Sequence, residues 1–303
     1  MTARNGPPDA EWISLRIDPG AHPAAMDFFI ATVIPQVLSQ VDASRWFFLR
    51  FVDPYGLHVR LRLRARRGES AALRRAAMLA CHRGLDALGT LLPDEYRPLV
   101  VPPEAPDPAW REQALVSVRS TAYEPELEKY GGEPGMPAAE ELFEASSRIA
   151  VAVLQAERGE ALSRKTMAPC LMALAADVFW PRDAAPSWSD YATFWLGGDT
   201  AFAREWRERF FDQARLLRDQ DVSVVPDAGG LPAPAGVLLA EWTRALRRAH
   251  AGYRRLGTFR EFPAEELGSR FIHTMNNRLG LSPLEEAYLA TLLEDRAAGV
   301  VAA

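Results

Sequence analysis

The sequence predicts an α+β protein, in which an antiparallel or mixed N-terminal sheet with helices packs on a mostly helical C-terminal half. Two patterns carry this prediction. In the first 136 residues, several short stretches alternate apolar and polar side chains, as half-buried strands do. From residue 137 onward, apolar residues recur every three or four positions, which is typical of helices.

The first half is expected to begin with a strand, a helix and a β-hairpin, because two alternating stretches flank a turn that contains Asp53, Pro54 and Gly56. A helix rich in alanine and leucine follows. The predicted elements are a strand over 11–17, a helix over about 24–40, hairpin strands over 45–52 and 57–66, a helix over 70–91, a proline-rich extended connection over 91–108 and a strand over 113–123.

The second half contains few strand signals and many helical ones. Its predicted helices cover about 138–157, 163–180, 187–196, 199–219, 236–256, 264–279 and 283–297, with loops over 181–190 and 224–236. We expect a single domain over residues 11–303, sheet-rich over 11–135 and helical over 136–297. Residues 1–10 are expected to be disordered or extended.

Composition narrows the classes of function. A net charge of −5 disfavours broad binding to nucleic acid or to anionic membranes. The chain has 2 cysteines without CxxC spacing, no apolar signal segment, and no stretch near the roughly 20 apolar residues of a membrane span. Phosphate-loop, zinc-protease and serine-hydrolase motifs are absent. We therefore expect a cytoplasmic protein with no metal, no cofactor, no nucleic-acid partner and no membrane partner.

An arginine row on the second hairpin strand is the first candidate site. Strand alternation places the leucine and valine residues of this strand on one face. The other face carries His58, Arg60, Arg62 and Arg64. If Asp53 and Leu57 close the loop, Arg50 lies across from Arg60, and such like charges favour an anion between them. A solvated charged strand face is the alternative.

Two further polar stretches are unusual. "YEPELEKYGG" (123–132) combines tyrosines with carboxylates, and it either supplies an acid–base group or forms a helix N-terminal turn. "FIHTMNNRLGLSPLEEAYL" (271–289) places a histidine beside polar residues near a helix end; these either carry proton transfer or cap and bridge helices. The candidates in these two stretches are Tyr123, Glu126, Lys129, His273, Asn276, Asn277 and Arg278.

Taken together, "WFFLRFVDPYGLHVRLRL", "YEPELEKYGG" and "HTMNNRLGL" resemble the elimination domain of class I lanthipeptide dehydratases and its stand-alone relatives in thiopeptide biosynthesis. The resemblance runs from about Trp12 to Leu293. It implies a single elimination-domain-like fold that acts on a ribosomally made precursor peptide with a leader segment. One branch of the family eliminates glutamate from glutamylated serine or threonine. The other condenses two dehydroalanines by a formal [4+2] aza-cycloaddition and expels water and the leader peptide.

The resemblance also implies roles for particular residues. In the eliminating branch, arginines that bind anions fall at Arg60 and Arg62, a carboxylate falls at Glu126, and a histidine that transfers protons falls at His273. A further arginine is expected where Lys129 stands, and lysine lacks the bidentate fork that grips a carboxylate. This departure favours the pyridine-forming branch over the glutamate lyase.

In the cyclase interpretation, all three stretches meet at one cavity. The catalytic set is His273, Tyr123, Glu126 and Lys129, and the substrate-binding set is Arg50, His58, Arg60, Arg62, Asn276, Asn277 and Arg278. A glutamate lyase and a non-catalytic leader-binding scaffold remain as alternatives. The sequence leaves open whether the chain forms a homodimer.

Overall fold

The computed structural model describes residues 11–20, 23–53, 56–89, 117–181, 187–219 and 231–301. These residues form two compact units, the first ending at Pro125 and the second beginning at Glu126. The first contains a four-stranded sheet and the second is built from helices, so the α+β prediction is confirmed. The expectations for residues 1–10 and for the connection over 91–108 lie outside the described residues. The single domain stays a prediction.

The sheet of the first unit has the strand order β2-β3-β1-β4, and its neighbouring strands are all antiparallel. The elements of this unit are β1 (Trp12–Asp18), α1 (Pro23–Phe28), a π-helical turn (Phe29–Val33), α2 (Ile34–Gln40), β2 (Arg45–Asp53), β3 (Gly56–Arg64), α3 (Ser70–Gly89) and β4 (Ser117–Thr121). Alternate residues of β1 and β3, such as Leu15 and Leu61, are completely buried on one face. The predicted order of strand, helix, hairpin and helix is therefore confirmed.

The hairpin loop closes one residue earlier than the register under which Arg50 would face Arg60. Asp53 pairs with Gly56, so that Arg50 lies opposite Val59 and Leu49 lies opposite Arg60. Because side chains alternate between faces along a strand, this shift moves Arg50 from the arginine face to the apolar face. There its Nη2 donates to Asp27 Oδ1 of α1 at 2.6 Å. The expected opposition of Arg50 and Arg60 does not exist.

The second unit follows the predicted helices closely. Its elements are a 3-10 turn (Leu127–Lys129), α4 (Gly132–Arg158), α5 (Arg164–Phe179), α6 (Trp188–Trp195), α7 (Ala201–Asp219), α8 (Ala233–Leu256), a 3-10 turn (Thr258–Arg260), α9 (Ala264–Leu279) and α10 (Pro283–Val301). None of the helices in the described ranges combines the length and apolar character needed to cross a membrane.

Helix α4 begins at Gly132, whereas the sequence predicted a start near residue 138. Glycine and proline usually interrupt a helix, but Pro134 lies in the first helical turn, where the N–H that proline lacks would have no intrahelical partner. Gly131 (φ 82°) supplies the left-handed conformation that turns the chain into the helix. Just before it, Tyr130 is buried, with its ring stacked on Phe271 at 5.6 Å.

Gly135 is expected to be indispensable for this tight start of α4. A Cβ atom at this position would lie 2.1 Å from the Tyr130 carbonyl oxygen, so Gly135→Ala should lower the free energy of unfolding by about 1–3 kcal/mol. Gly236→Ala in α8 is the matched control, because its Cβ would meet nothing within 4 Å, and alanine favours a helix. Urea unfolding followed by circular dichroism measures both variants. Equal stability of the two would contradict this account.

Candidate functional site

The arginine face of the sheet is largely buried. Arg62 is 8% exposed and His58 is 1% exposed, while Arg60 is half-buried. The alternative of a solvated strand face is therefore wrong for His58 and Arg62. The neighbouring strand β1 contributes Ser14 opposite Arg62 and Arg16 opposite Arg60.

Arg62 is a buried cation whose hydrogen-bond partner and ring contact are both uncharged. Its Nη1 donates to Ser14 Oγ at 2.5 Å, and its guanidinium carbon lies 5.6 Å from the centroid of the Tyr123 ring. Burial, and next the charge of Arg60, lower the pKa of Arg62 to about 10, so it remains charged at neutral pH. Among the described residues, no carboxylate lies within ion-pair distance of Arg62. Its charge is thus not neutralised by any carboxylate of the described residues.

Arg16 shows the contrasting arrangement on the same face. It forms an ion pair with Asp18, with Nη2 to Oδ1 at 2.9 Å, and a second ion pair with Asp53. Arg16 therefore belongs to a local network of compensated charges, although it lies next to Arg60 in the sheet. The sheet contains both a neutralised arginine and an arginine without a carboxylate partner.

His58 orients Arg60. Its Nδ1–H donates to the Gly56 carbonyl at 3.2 Å, and its Nε2 accepts a long hydrogen bond from Arg60 Nε at 3.4 Å. The bond accepted at Nε2 requires the neutral ring, because both ring nitrogens of a protonated histidine are donors. Burial lowers the pKa of His58, which favours this neutral form. The Arg60 guanidinium carbon also lies 3.2 Å from the centroid of Phe51. His58 therefore contacts the Arg60 side chain and has almost no exposed surface of its own for direct contact with a peptide.

In the second unit, Glu126 and Lys129 form an exposed ion pair of 2.6 Å. The carbonyl oxygen of Lys129 accepts a hydrogen bond from Arg270 of α9. Arg270 precedes His273 by three positions, and residues with this spacing lie on the same side of a helix. The backbone of Lys129 is thereby joined to the helix that carries His273.

His273 is the centre of a polar network. Its Nδ1 lies 3.0 Å from Glu286 Oε1 of α10, and its side chain is 33% exposed. Glu286 is completely buried, and its Oε2 accepts hydrogen bonds from Tyr191 Oη at 2.7 Å and Asn276 Nδ2 at 3.3 Å. The Trp195 ring stacks on the imidazole with centroids 4.1 Å apart and an interplanar angle of 26°.

Burial raises the pKa of Tyr191 well above its usual value, and the charge of Glu286 acts in the same direction. The phenol therefore keeps its proton and remains a donor to the carboxylate. A histidine paired with a buried carboxylate in this way can accept and return protons. The sequence indicated His273 and Asn276, but it did not identify Glu286, Tyr191 or Trp195 as members of the site.

The last predicted residues of this stretch differ from His273 in their surroundings. Arg278 is fully buried, with Nε donating to Ser147 Oγ at 3.1 Å and Nη1 donating to the Thr274 carbonyl at 2.9 Å. Burial lowers the pKa of Arg278 to about 9. These contacts favour a structural role, and substrate contact by Arg278 gains no support from them. Asn277 is half-buried on the same helix.

The candidates form two groups. Tyr123, His58, Arg60 and Arg62 belong to the first unit, whereas Glu126, Lys129, His273 and Asn276 belong to the second. Their convergence at one cavity stays a prediction. In the described ranges, no three His, Cys, Asp or Glu side chains come close enough together to hold a metal ion.

Comparisons with known proteins place this geometry in context. The family model "Lantibiotic biosynthesis dehydratase C-term" matches residues 12–298. No curated protein sequence matches the chain. The crystal structure of the tRNA-dependent lantibiotic dehydratase MibB from Microbispora sp. 107891 is similar with a TM-score of 0.62 and 20% identity, over 99% of this chain and 29% of that chain.

Two shorter proteins are similar over most of both chains. The pyridine synthase TbtD from thiomuracin biosynthesis has a TM-score of 0.64 and 19% identity, with 96% of this chain and 99% of that chain covered. TsrL has a TM-score of 0.58 and 17% identity, with 97% and 96% covered. At these identities the similarity shows the fold. The chain spans about 29% of the length of MibB.

The neutral state of His58 predicts a pH-dependent stability. Because burial lowers its pKa in the folded protein, the unfolded chain takes up a proton first as the pH falls below about 6.5. The contribution of neutral His58 to the free energy of unfolding is therefore complete above that pH. Below it, this contribution decreases by up to about 1.4 kcal/mol per pH unit. His58→Gln should therefore flatten the fall in unfolding free energy between about pH 7 and 5.

Urea unfolding at a series of pH values measures this slope. His82→Gln, at an exposed position on α3, controls for the loss of a histidine. A slope in His58→Gln as steep as in the unsubstituted protein would rule out the explanation.

Proposed function

This chain belongs to the family of lantibiotic biosynthesis dehydratase C-terminal domains, and on that premise we propose that it is a pyridine-forming enzyme of thiopeptide biosynthesis. Its proposed substrate is a ribosomally made precursor peptide that carries a leader segment and two dehydroalanines. The reaction is a formal [4+2] aza-cycloaddition followed by loss of water and of the leader peptide. The paired His273 and Glu286 are the observation that carries the catalytic part of this proposal.

The proposed reaction consists of proton transfers around one carbon–nitrogen framework. A backbone amide first moves its N–H proton to its oxygen, which gives an iminol whose C=N bond is conjugated with the alkene of one dehydroalanine. The second dehydroalanine adds across this azadiene and closes a six-membered ring. Water then leaves with the iminol oxygen, and the leader leaves as its amide, each departure taking one proton from the ring. Each step suits a group that accepts and returns protons near neutral pH, as an imidazole does.

His273 is proposed to carry these proton transfers, with Glu126 and Tyr123 as its candidate partners. The exposure of its ring, combined with the pairing of Nδ1 to Glu286, supports this role. Asn276 supports the same carboxylate from the preceding helix.

Arg60 and Arg62 are proposed to bind peptide carbonyls or developing oxyanions. The support is the absence of a carboxylate partner for Arg62 among the described residues, together with its burial. A charge in a site with little water interacts more strongly with a developing oxyanion than an exposed charge does. Arg50 is not included, because its guanidinium is paired with Asp27.

Positioning is the other proposed contribution to rate. Two ends of a flexible peptide must meet, and holding reacting groups in place supplies roughly 7–11 kcal/mol of a barrier in favourable cases. A precursor peptide bound through its leader would satisfy this need without any cofactor. Binding of the leader to the chain is part of the proposal.

The pairing of Lys129 favours cyclisation over elimination of glutamate. A glutamyl carboxylate is gripped best by the planar fork of an arginine, whereas lysine offers a single point charge. The Lys129 amine also already contacts Glu126 at 2.6 Å. A second carboxylate at this position would compete with Glu126.

Two synthetic precursor peptides test the proposal. With a peptide that carries two dehydroalanines, we expect mass spectrometry to detect a pyridine product and a leader released as its amide. With a peptide that carries glutamylated serine, we expect no release of glutamate. Elimination from the second peptide without cyclisation of the first would overturn the proposal in favour of a lyase. Binding of the leader without either reaction would indicate a scaffold.

His273→Gln tests the proton-transfer role directly. We expect cyclisation to slow by about 10²–10⁴-fold, the usual contribution of a general acid–base group, while the affinity for the peptide changes little. His82→Gln is the matched control on an exposed helix surface. Single-turnover rates and fluorescence anisotropy of a labelled leader separate the two quantities. Cyclisation at the unsubstituted rate would remove His273 from the mechanism.

A further inference from the structure

The network behind His273 contains a residue with an unassigned role. We propose that Glu286 is a positioning residue, which holds the His273 ring with its proton on Nδ1 so that Nε2 is the atom that exchanges protons with the substrate. The identity of that substrate rests on the proposed function, whereas the position of the proton on the ring does not.

The contacts of Glu286 define the first step of the argument. Its two oxygens have different partners. Oε1 lies 3.0 Å from His273 Nδ1, whereas Oε2 accepts hydrogen bonds from Tyr191 and Asn276. A carboxylate is an acceptor, so Nδ1 must be the donor in the first contact. With its other oxygen engaged twice, the carboxylate has little freedom to rotate away from the imidazole.

Trp195 restrains the remaining freedom of the ring. Its indole lies nearly parallel to the imidazole at 4.1 Å, so one face of His273 is covered. The Nδ1 edge is occupied by Glu286, which leaves the opposite face and the Nε2 edge for the exposed third of the side chain. Among the described residues, Nε2 has no hydrogen-bond partner. The geometry therefore presents Nε2 to an incoming group.

The burial of Glu286 gives this positioning its strength. A completely buried carboxylate without donors is costly, and three donors from two helices offset that cost only while the ring stays in place. The high pKa of Tyr191 supports the same arrangement, since the phenol remains a donor. An imidazole held by a carboxylate at one nitrogen, with the other nitrogen directed to the substrate, is the general form of an oriented acid–base histidine.

Glu286→Gln is the decisive variant, and Glu285→Gln is its matched control. Glu285 is the adjacent residue on α10 and caps the helix by accepting from the Ser282 N–H at 2.9 Å. The first measurement is the imidazole nitrogen spectrum of histidine-labelled protein without peptide, with the His273 signals assigned by their loss in His273→Gln. We expect neutral His273 to carry its proton on Nδ1 in the unsubstituted protein and in Glu285→Gln. In Glu286→Gln the amide can donate to Nδ1, so the Nε2–H tautomer should appear.

The second measurement is the steady-state rate of cyclisation over a series of concentrations of the dehydroalanine peptide. Glu286→Gln is expected to lower kcat by about 10²–10⁴-fold with little change in KM, because an imidazole in the other tautomer cannot accept a proton at Nε2. Glu285→Gln should remain within about threefold of the unsubstituted rate, since its hydrogen bonds are exposed and go to Ser282, with none to His273 among the described residues.

The two measurements separate the inference from the proposed function. An unchanged tautomer in Glu286→Gln overturns the positioning role, whichever reaction the protein catalyses. A changed tautomer in a protein that makes no pyridine supports the positioning role and rejects the proposed reaction. If circular dichroism shows Glu286→Gln to be unfolded, Tyr191→Phe replaces it by removing one donor from the carboxylate. That variant should lower kcat by about tenfold at constant KM, and an unchanged kcat would overturn the inference.

Discussion

The buried carboxylate of Glu286 is the constraint on which the second unit depends. Its donors come from α6, which supplies Tyr191, and from α9, which supplies His273 and Asn276, while Glu286 itself belongs to α10. Loss of any one donor leaves part of a buried polar group unsatisfied, which costs more than the same bond at the surface. Three helices must therefore assemble in one arrangement for the carboxylate to be satisfied. The same arrangement places the His273 ring against Glu286, so under the proposed function folding and proton transfer have this requirement in common.

In the first unit, neighbouring carboxylates determine whether the charge of an arginine is neutralised within the protein. Arg50 is compensated by Asp27, and Arg16 by Asp18 and Asp53. Arg62 instead contacts the Ser14 hydroxyl and the Tyr123 ring. Burial lowers the pKa of Arg62 to about 10, at which it is still charged at neutral pH. The availability of a cation for a ligand thus depends on its strand register and its neighbours. The number of arginines in the sheet does not show which of them are paired with a carboxylate and which are not.

Strand and helix periods were sufficient to predict much of this structure, including the helix over 264–279, the face shared by His58, Arg60 and Arg62, and the proximity of His273 to Asn276. The hairpin register was not predictable, because β2 carries apolar residues on both of its faces, so that loops closed at Gly56 or at Leu57 both bury apolar side chains. Glu286 was missed for another reason. Its partner Tyr191 is 95 positions away, and such pairs arise from tertiary packing, which no local pattern records.

A paired histidine and carboxylate does not by itself choose between the two branches of the family, since eliminating glutamate and forming a pyridine both need proton transfer. The choice must come from the groups that bind the anion or the carbonyl. Lys129 is engaged with Glu126 through one point contact, and Arg62 is a single buried guanidinium beside a tyrosine. These groups suit neutral carbonyls and transient oxyanions better than a second permanent carboxylate, which would have to compete with Glu126. Under the proposed function, the choice between the two substrates therefore depends on these cations, whereas the imidazole would carry proton transfers that both reactions need.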